Sequence, residues 1–157
     1  MVDQKPPRTA GGERETLCAL LQFQRESFVR KVTGVDETAA QTAVVGSGTT
    51  LLWLTRHLAH AEQAWVVRRF AGLDMLPADE SEVDSLARAI ESYRRTWAVV
   101  DDIVASAPTL EAVCRNMGGD EAPVSLRWVL MHLLEETARH AGHADILREL
   151  IDGGTGR

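Results

Sequence analysis

The sequence predicts an all-α protein, a four-helix bundle, and three observations carry that expectation. Four long stretches repeat apolar residues at three- and four-residue steps. Glycine, proline and hydroxyl residues punctuate them, and no segment shows the period-two alternation of a half-buried strand. With 157 residues, 45% of them hydrophobic and 25% charged, the chain is sized for one domain with a continuous core. A single domain over 1–157 is expected.

The elements follow in order. Pro6, Pro7, Gly11 and Gly12 oppose regular structure, so 1–11 reads as an extended arm. The first helix spans 13 to about 33, with Leu17, Leu20, Leu21, Gln24, Phe28 and Val32 in helical register, and Gly34 stops it. Gly46, Ser47 and Gly48 break the chain again. Ser47 or Thr49 then caps a second helix that runs to about Gly72. LDMLPADE is a loop, and Ser81 with its acidic neighbours opens a third helix through Leu86, Ile90, Tyr93, Trp97 and Val100, closed by Pro108. A short helical turn is expected over 109–114. The fourth helix starts at Val124 or Ser125 and runs through Leu126, Val129, Leu130, Leu133, Leu134, Ala138, Ala141, Ile146, Leu147 and Leu150. Gly153 ends it, and 153–157 reads as a disordered tail.

Composition excludes some function classes. The net charge is −6, and no basic stripe is present of the kind that neutralises a phosphate backbone, so nucleic acid is not an expected partner. Arg68 and Arg69, like Arg94 and Arg95, read as solvated helix faces. No run reaches the roughly 18 apolar residues of a spanning helix, and the N-terminus lacks the apolar stretch of a signal peptide. A cytoplasmic protein without membrane contact is expected. Cys18 and Cys114 read as reduced, largely buried thiols, which fits a reducing compartment.

The histidines carry the chemistry. His57 and His60 lie in the second helix; His132, His140 and His143 lie in the fourth. Residues four apart on a helix stand one above the other, so Glu136 and His140 present a carboxylate and an imidazole on one face, and His132 continues that row a turn earlier. Such a pair can chelate one ion, with a third ligand from a facing helix and an open position left for water or substrate. That is the arrangement of a catalytic metal site. Spacing alone leaves an ordinary surface pair as an alternative, and does not choose between His57 and His60.

The segments LLWLTRHLAHAEQAW and PVSLRWVLMHLLEETARHAGHADILREL, together with GSGTT, resemble the DinB superfamily. The nearest branch is the actinobacterial DinB-like proteins related to mycothiol-dependent maleylpyruvate isomerase. The resemblance covers about residues 5–152. It implies a bundle with an up-down-down-up connection and three side chains on a divalent metal. The histidine before Leu-Ala in the second helix falls on His57; the branch that uses glutamate then histidine in the last helix places its ligands at Glu136 and His140. Glutamate in place of the commoner third histidine makes the site harder, which favours zinc with nickel or manganese as alternatives.

Around these, His60 stands one turn from His57 within reach of the ion or its water, and His143 is a candidate acid/base group or proton shuttle. Glu135 reads as a helix-face residue. Arg139 and Asp145 read as ion-pair partners, Asp145 alternatively as the group that orients a ligand histidine. Trp53, Trp65, Trp97 and Trp128 read as packing residues. The resemblance implies a metal-dependent transferase or isomerase acting with a low-molecular-weight thiol of mycothiol type on a small electrophile; the isomerase's extra C-terminal domain lies outside the resemblance, so that particular reaction is not expected. The alternative is a non-catalytic metal- or small-ligand-binding stress protein, or a bundle with a vacant site. A homodimer is expected, with Trp65 and Phe70 among the apolar residues that could serve it.

Overall fold

The computed structural model describes residues 4–77, 85–119 and 121–155. Among these residues five α-helices form: α1 (Glu13–Val32), α2 (Glu37–Gln41), α3 (Leu51–Glu62), α4 (Leu86–Ser106) and α5 (Leu126–Asp152), with a π-helical segment, Gln63–Phe70, continuing α3. Among the described residues no strand forms; the one extended contact is an isolated antiparallel bridge between Val113 and Ser125. No described helix is long and apolar enough to cross a membrane.

The core has two halves, and their membership sets the chain direction. One half joins Phe28, Val29 and Val32 of α1 with Leu51, Leu54 and Leu58 of α3, Leu86, Ile90 and Tyr93 of α4, and Ala144 and Leu147 of α5. The other joins Leu21 with Val66, Val67 and Phe70, Val100 and Val104, and Leu126, Val129, Leu130 and Leu133. The end of α1 therefore lies beside the starts of α3 and α4 and the end of α5. The order is up-down-down-up, as expected, so Phe70 and Leu86, the ends of the crossover connection, lie at opposite ends of the bundle.

Capping explains the boundaries. Thr50, rather than Ser47 or Thr49, caps α3 by accepting from the Trp53 amide at 3.1 Å; Ser47 and Thr49 instead bond each other at 2.9 Å. Ser125 caps α5 through the Trp128 amide, and Gly153, at φ 74°, ends it in the left-handed conformation that glycine adopts without a Cβ clash. Arginines close two helix C-termini across the bundle. Arg14 donates to the Val104 and Ala107 carbonyls at the end of α4, and Arg148 to those of Lys31 and Thr33 at the end of α1.

Other features depart from the sequence expectation. The second helix is not uniform: it widens into π geometry at Gln63, whose buried amide donates to Thr96 Oγ1 at 3.1 Å and accepts from the Leu76 amide at 3.0 Å. Such widening inside α-helices accompanies functional sites in many proteins. The short α2, capped by Asp36, was not expected. The proposed turn at 109–114 is not helical; its Leu110 and Ala112 carbonyls accept from the Arg127 and Leu126 amides at the start of α5. The proposed start of the third helix at Ser81 lies outside the described residues. Residues 4–11 carry no regular structure.

Candidate metal centre

Two helix faces meet at the site. In α3, Leu51, Leu54 and Leu58 face the core, which leaves His57 on the flank turned toward α5. In α5, Leu130, Leu133, Thr137 and Ala144 are buried, and Glu136 and His140 stand one turn apart on the adjoining flank. The His57 and His140 Nε2 atoms converge on a single carboxylate oxygen: Nε2–H of His57 donates to Glu136 Oε1 at 2.8 Å and Nε2–H of His140 to the same atom at 3.1 Å. All three candidate donor atoms lie within 4.8 Å of one another. The His57, Glu136 and His140 side chains retain 31%, 22% and 12% exposure, so the cluster is sheltered yet reachable from solvent.

Electrostatics favour the ligating protonation states. Burial, reinforced by the neighbouring His57, pulls the His140 pKa below its ordinary 6.5 against the attraction of Glu136, so its neutral imidazole predominates at neutral pH. Burial alone would raise the Glu136 carboxyl, but hydrogen bonds from His57 and His140 outweigh it and hold the group below 4.5. A neutral imidazole at His140 and an ionised carboxylate at Glu136 result. Donors at about 2.0–2.2 Å from a tetrahedral zinc stand about 3.3 Å apart, a separation bracketed by the two histidine–carboxylate distances and the 4.8 Å limit of the cluster. The donor set fits a divalent metal.

The remaining sequence candidates separate clearly. His143 is exposed and places its Nδ1 3.1 Å from His140 Nδ1, on the side of that ring away from Glu136. His60 is exposed and stands outside the three-residue cluster. His132 packs between Trp65 and Trp128, stacked on the latter at 5.0 Å. Asp145 pairs with the buried Lys31, and Glu135 and Arg139 are exposed on α5. Cys18 is half-buried, Cys114 is buried, and both are free thiols.

The tryptophans and Phe70 require correction. Trp53 is 51% exposed and stacks on the His57 ring at 4.8 Å with an interplanar angle of 9°, so it belongs to the wall of the site and not to the core. Trp128 is exposed as well, whereas Phe70 is buried in the core and unavailable to a partner. The physical reason is helical phase: Trp53 falls on the opposite side of α3 from Leu51 and Leu58, while Phe70 shares the buried face of Val66 and Val67. Trp53 precedes His57 by four residues, a spacing that could have identified it as a neighbour of the site.

A cleft of about 440 Å³ opens on the other side of His57. Trp53, Arg56 and His60 of α3, Met75 to Pro77 of the crossover, and Ala89 and Ser92 of α4 contribute to its walls. Gln63 fixes the Leu76 side of it through the hydrogen bond to the Leu76 amide.

The mycothiol-S-transferase family profile matches residues 16–153, a span that includes His57, Glu136 and His140. Among solved structures, the chain is similar to a conserved protein from Enterococcus faecalis, with a TM-score of 0.74 and 16% identity over 92% of this chain and 100% of that one. At that identity the likeness is one of fold. No curated protein matches the chain.

Proposed function

The chain belongs to the mycothiol-S-transferase family, and from that premise we propose that it is a metal-dependent transferase joining a low-molecular-weight thiol of mycothiol type to a small electrophile. The observation that carries this reading is the convergence of two imidazoles and one carboxylate from α3 and α5 on a single point. A divalent ion there, zinc before nickel or manganese, would supply Lewis acidity that lowers a thiol's pKa and favours its thiolate at neutral pH.

The chain's own residues have distinct tasks in this proposal. His57, Glu136 and His140 hold the ion and leave a position open toward solvent. Trp53, stacked on His57, fixes the plane of that imidazole. His143, beside the outer nitrogen of His140, orients that ligand by accepting a hydrogen bond from its Nδ1–H when Nε2 is engaged, with proton shuttling as its secondary task. A cytoplasmic location and a homodimer belong to the same proposal, with the exposed Trp128 and Met131 of α5 as apolar surface for pairing.

Elemental analysis together with a conjugation assay tests it. The purified protein should carry about one divalent ion per chain and, with mycothiol, consume an electrophile such as monochlorobimane at a rate that depends on the metal. His140→Ala should lower both metal content and rate at least tenfold. A wild-type chain free of metal after chelator-free handling overturns the ligand assignment. A metal-loaded chain inactive with mycothiol, bacillithiol and glutathione across a panel of electrophiles overturns the transferase and leaves a metal-binding protein.

A further inference from the structure

The cleft beside His57 differs in charge from the rest of the molecule. The chain carries a net charge of −6, yet among the described residues no carboxylate lines this cleft, whereas Arg56 and His60 do. Arg56 is exposed on α3 and makes no ion pair with any described residue. Among the described residues it is a cation on a concave surface without a counter-charge. Met75 and Leu76 add an apolar part to the wall of the cleft. That wall is anchored, because the Leu76 amide is bonded to the buried Gln63, itself held by Thr96. A volume of about 440 Å³ lies within the range for small-ligand sites and accommodates a single ring or short chain.

We propose that this cleft is a binding site for a small carboxylate with an apolar body, the carboxylate engaging Arg56 and the body lying against Met75 and Leu76. A planar guanidinium is suited to bidentate recognition of a carboxylate, and an uncharged isostere loses that interaction. His57 belongs both to the wall of the cleft and to the proposed metal centre, so the two sites adjoin. The binding site stands on the cleft alone; its assignment as the seat of the electrophile rests on the transferase reading above.

Titration calorimetry on the full chain, metal-loaded and metal-stripped, with cinnamate and cinnamamide as probes and no thiol present, tests the inference. Cinnamate should bind about tenfold more tightly than the amide, a difference typical of one charge-assisted contact. Arg56→Gln should abolish the preference, and Arg139→Gln, on exposed α5 surface, should retain it. Equal affinities for acid and amide, no binding of either, or a preference that survives Arg56→Gln would each overturn the site. A cinnamate signal that requires metal and ignores Arg56→Gln puts the carboxylate on the ion, which also overturns it. Metal content of the same samples separates the two proposals. A chain that takes up no metal but prefers cinnamate through Arg56 sustains the cleft and overturns the ligand set; a metal-loaded chain indifferent to the probe's charge does the reverse.

Discussion

Glu62 ends α3 five residues after His57 and is completely buried. Its carboxylate accepts from Arg25 Nε at 2.9 Å, from Arg25 Nη2 at 2.5 Å and from the Tyr93 hydroxyl at 3.1 Å, which ties α1, α3 and α4 together at one point. Arg25 also reaches Asp101 at 2.8 Å. Burial works against the Arg25 charge, but the two carboxylates outweigh it and raise its pKa further, so the guanidinium is ionised at every pH at which the protein folds. Deleting one member of such a pair leaves a charge stranded in the core. Glu62→Ala should therefore lower the unfolding free energy in urea by about 3–5 kcal/mol, and the double variant Arg25→Met with Glu62→Leu should recover much of it. A single-variant loss under about 1 kcal/mol would show that the network contributes little to stability. The sequence did not signal this pair, because 37 residues separate Arg25 from Glu62. Glu136 and His140 were legible for the opposite reason: they lie on one helix, where spacing alone encodes their proximity.

At the scale of elements, periodicity located the four long helices because each buries a stripe whose spacing is local to the segment. Features that depend on a neighbour were not legible. The phase of Trp53 relative to α5 and the widening at Gln63, which is coupled to Thr96 of α4 and Leu76 of the crossover, belong to this class. So does the start of α4, which is governed from α2. Glu37 accepts from the Leu86 amide at 2.6 Å and the Ala87 amide at 3.3 Å, and from the Ser85 hydroxyl at 3.2 Å. A carboxylate at a helix N-terminus satisfies free N–H groups and complements the helix dipole. Glu37→Ala should cost about 1 kcal/mol of global stability and speed hydrogen exchange at Leu86 and Ala87, with Glu37→Gln intermediate. Unchanged exchange at those two amides would mean that Ser85, whose hydroxyl accepts from the Arg88 amide at 3.4 Å, caps α4 without help.

For the whole molecule, Arg127 joins parts of the chain that are remote in sequence. Its guanidinium donates to Glu13 at 2.7 and 3.0 Å and to Glu111 at 2.7 Å, linking the start of α1, the turn before α5 and the first turn of α5. Hydrogen bonding to Arg127 holds both carboxyls below their ordinary 4.5. In the unfolded chain, where that partner is lost, both groups regain ordinary values and bind protons at higher pH. Their contribution to stability is therefore complete above about pH 4.5 and disappears as pH falls through the lowered folded-state values. Both carboxylates are exposed and Arg127 is partly so, and screening therefore keeps the effect modest and makes it weaken with added salt. Asp152 behaves likewise through Arg148, but at the other end of α5 and independently of Arg127. Urea midpoints measured from pH 7 to pH 3 in low salt should fall on the acid side for the wild type and fall less steeply for Arg127→Met. The difference between the two profiles isolates this three-residue link from every other titrating group. Profiles that stay parallel throughout would show that Glu13 and Glu111 gain nothing from Arg127 in the folded chain, and that the closing of this end of the bundle depends on the apolar contacts of Leu21, Leu126 and Leu130 alone.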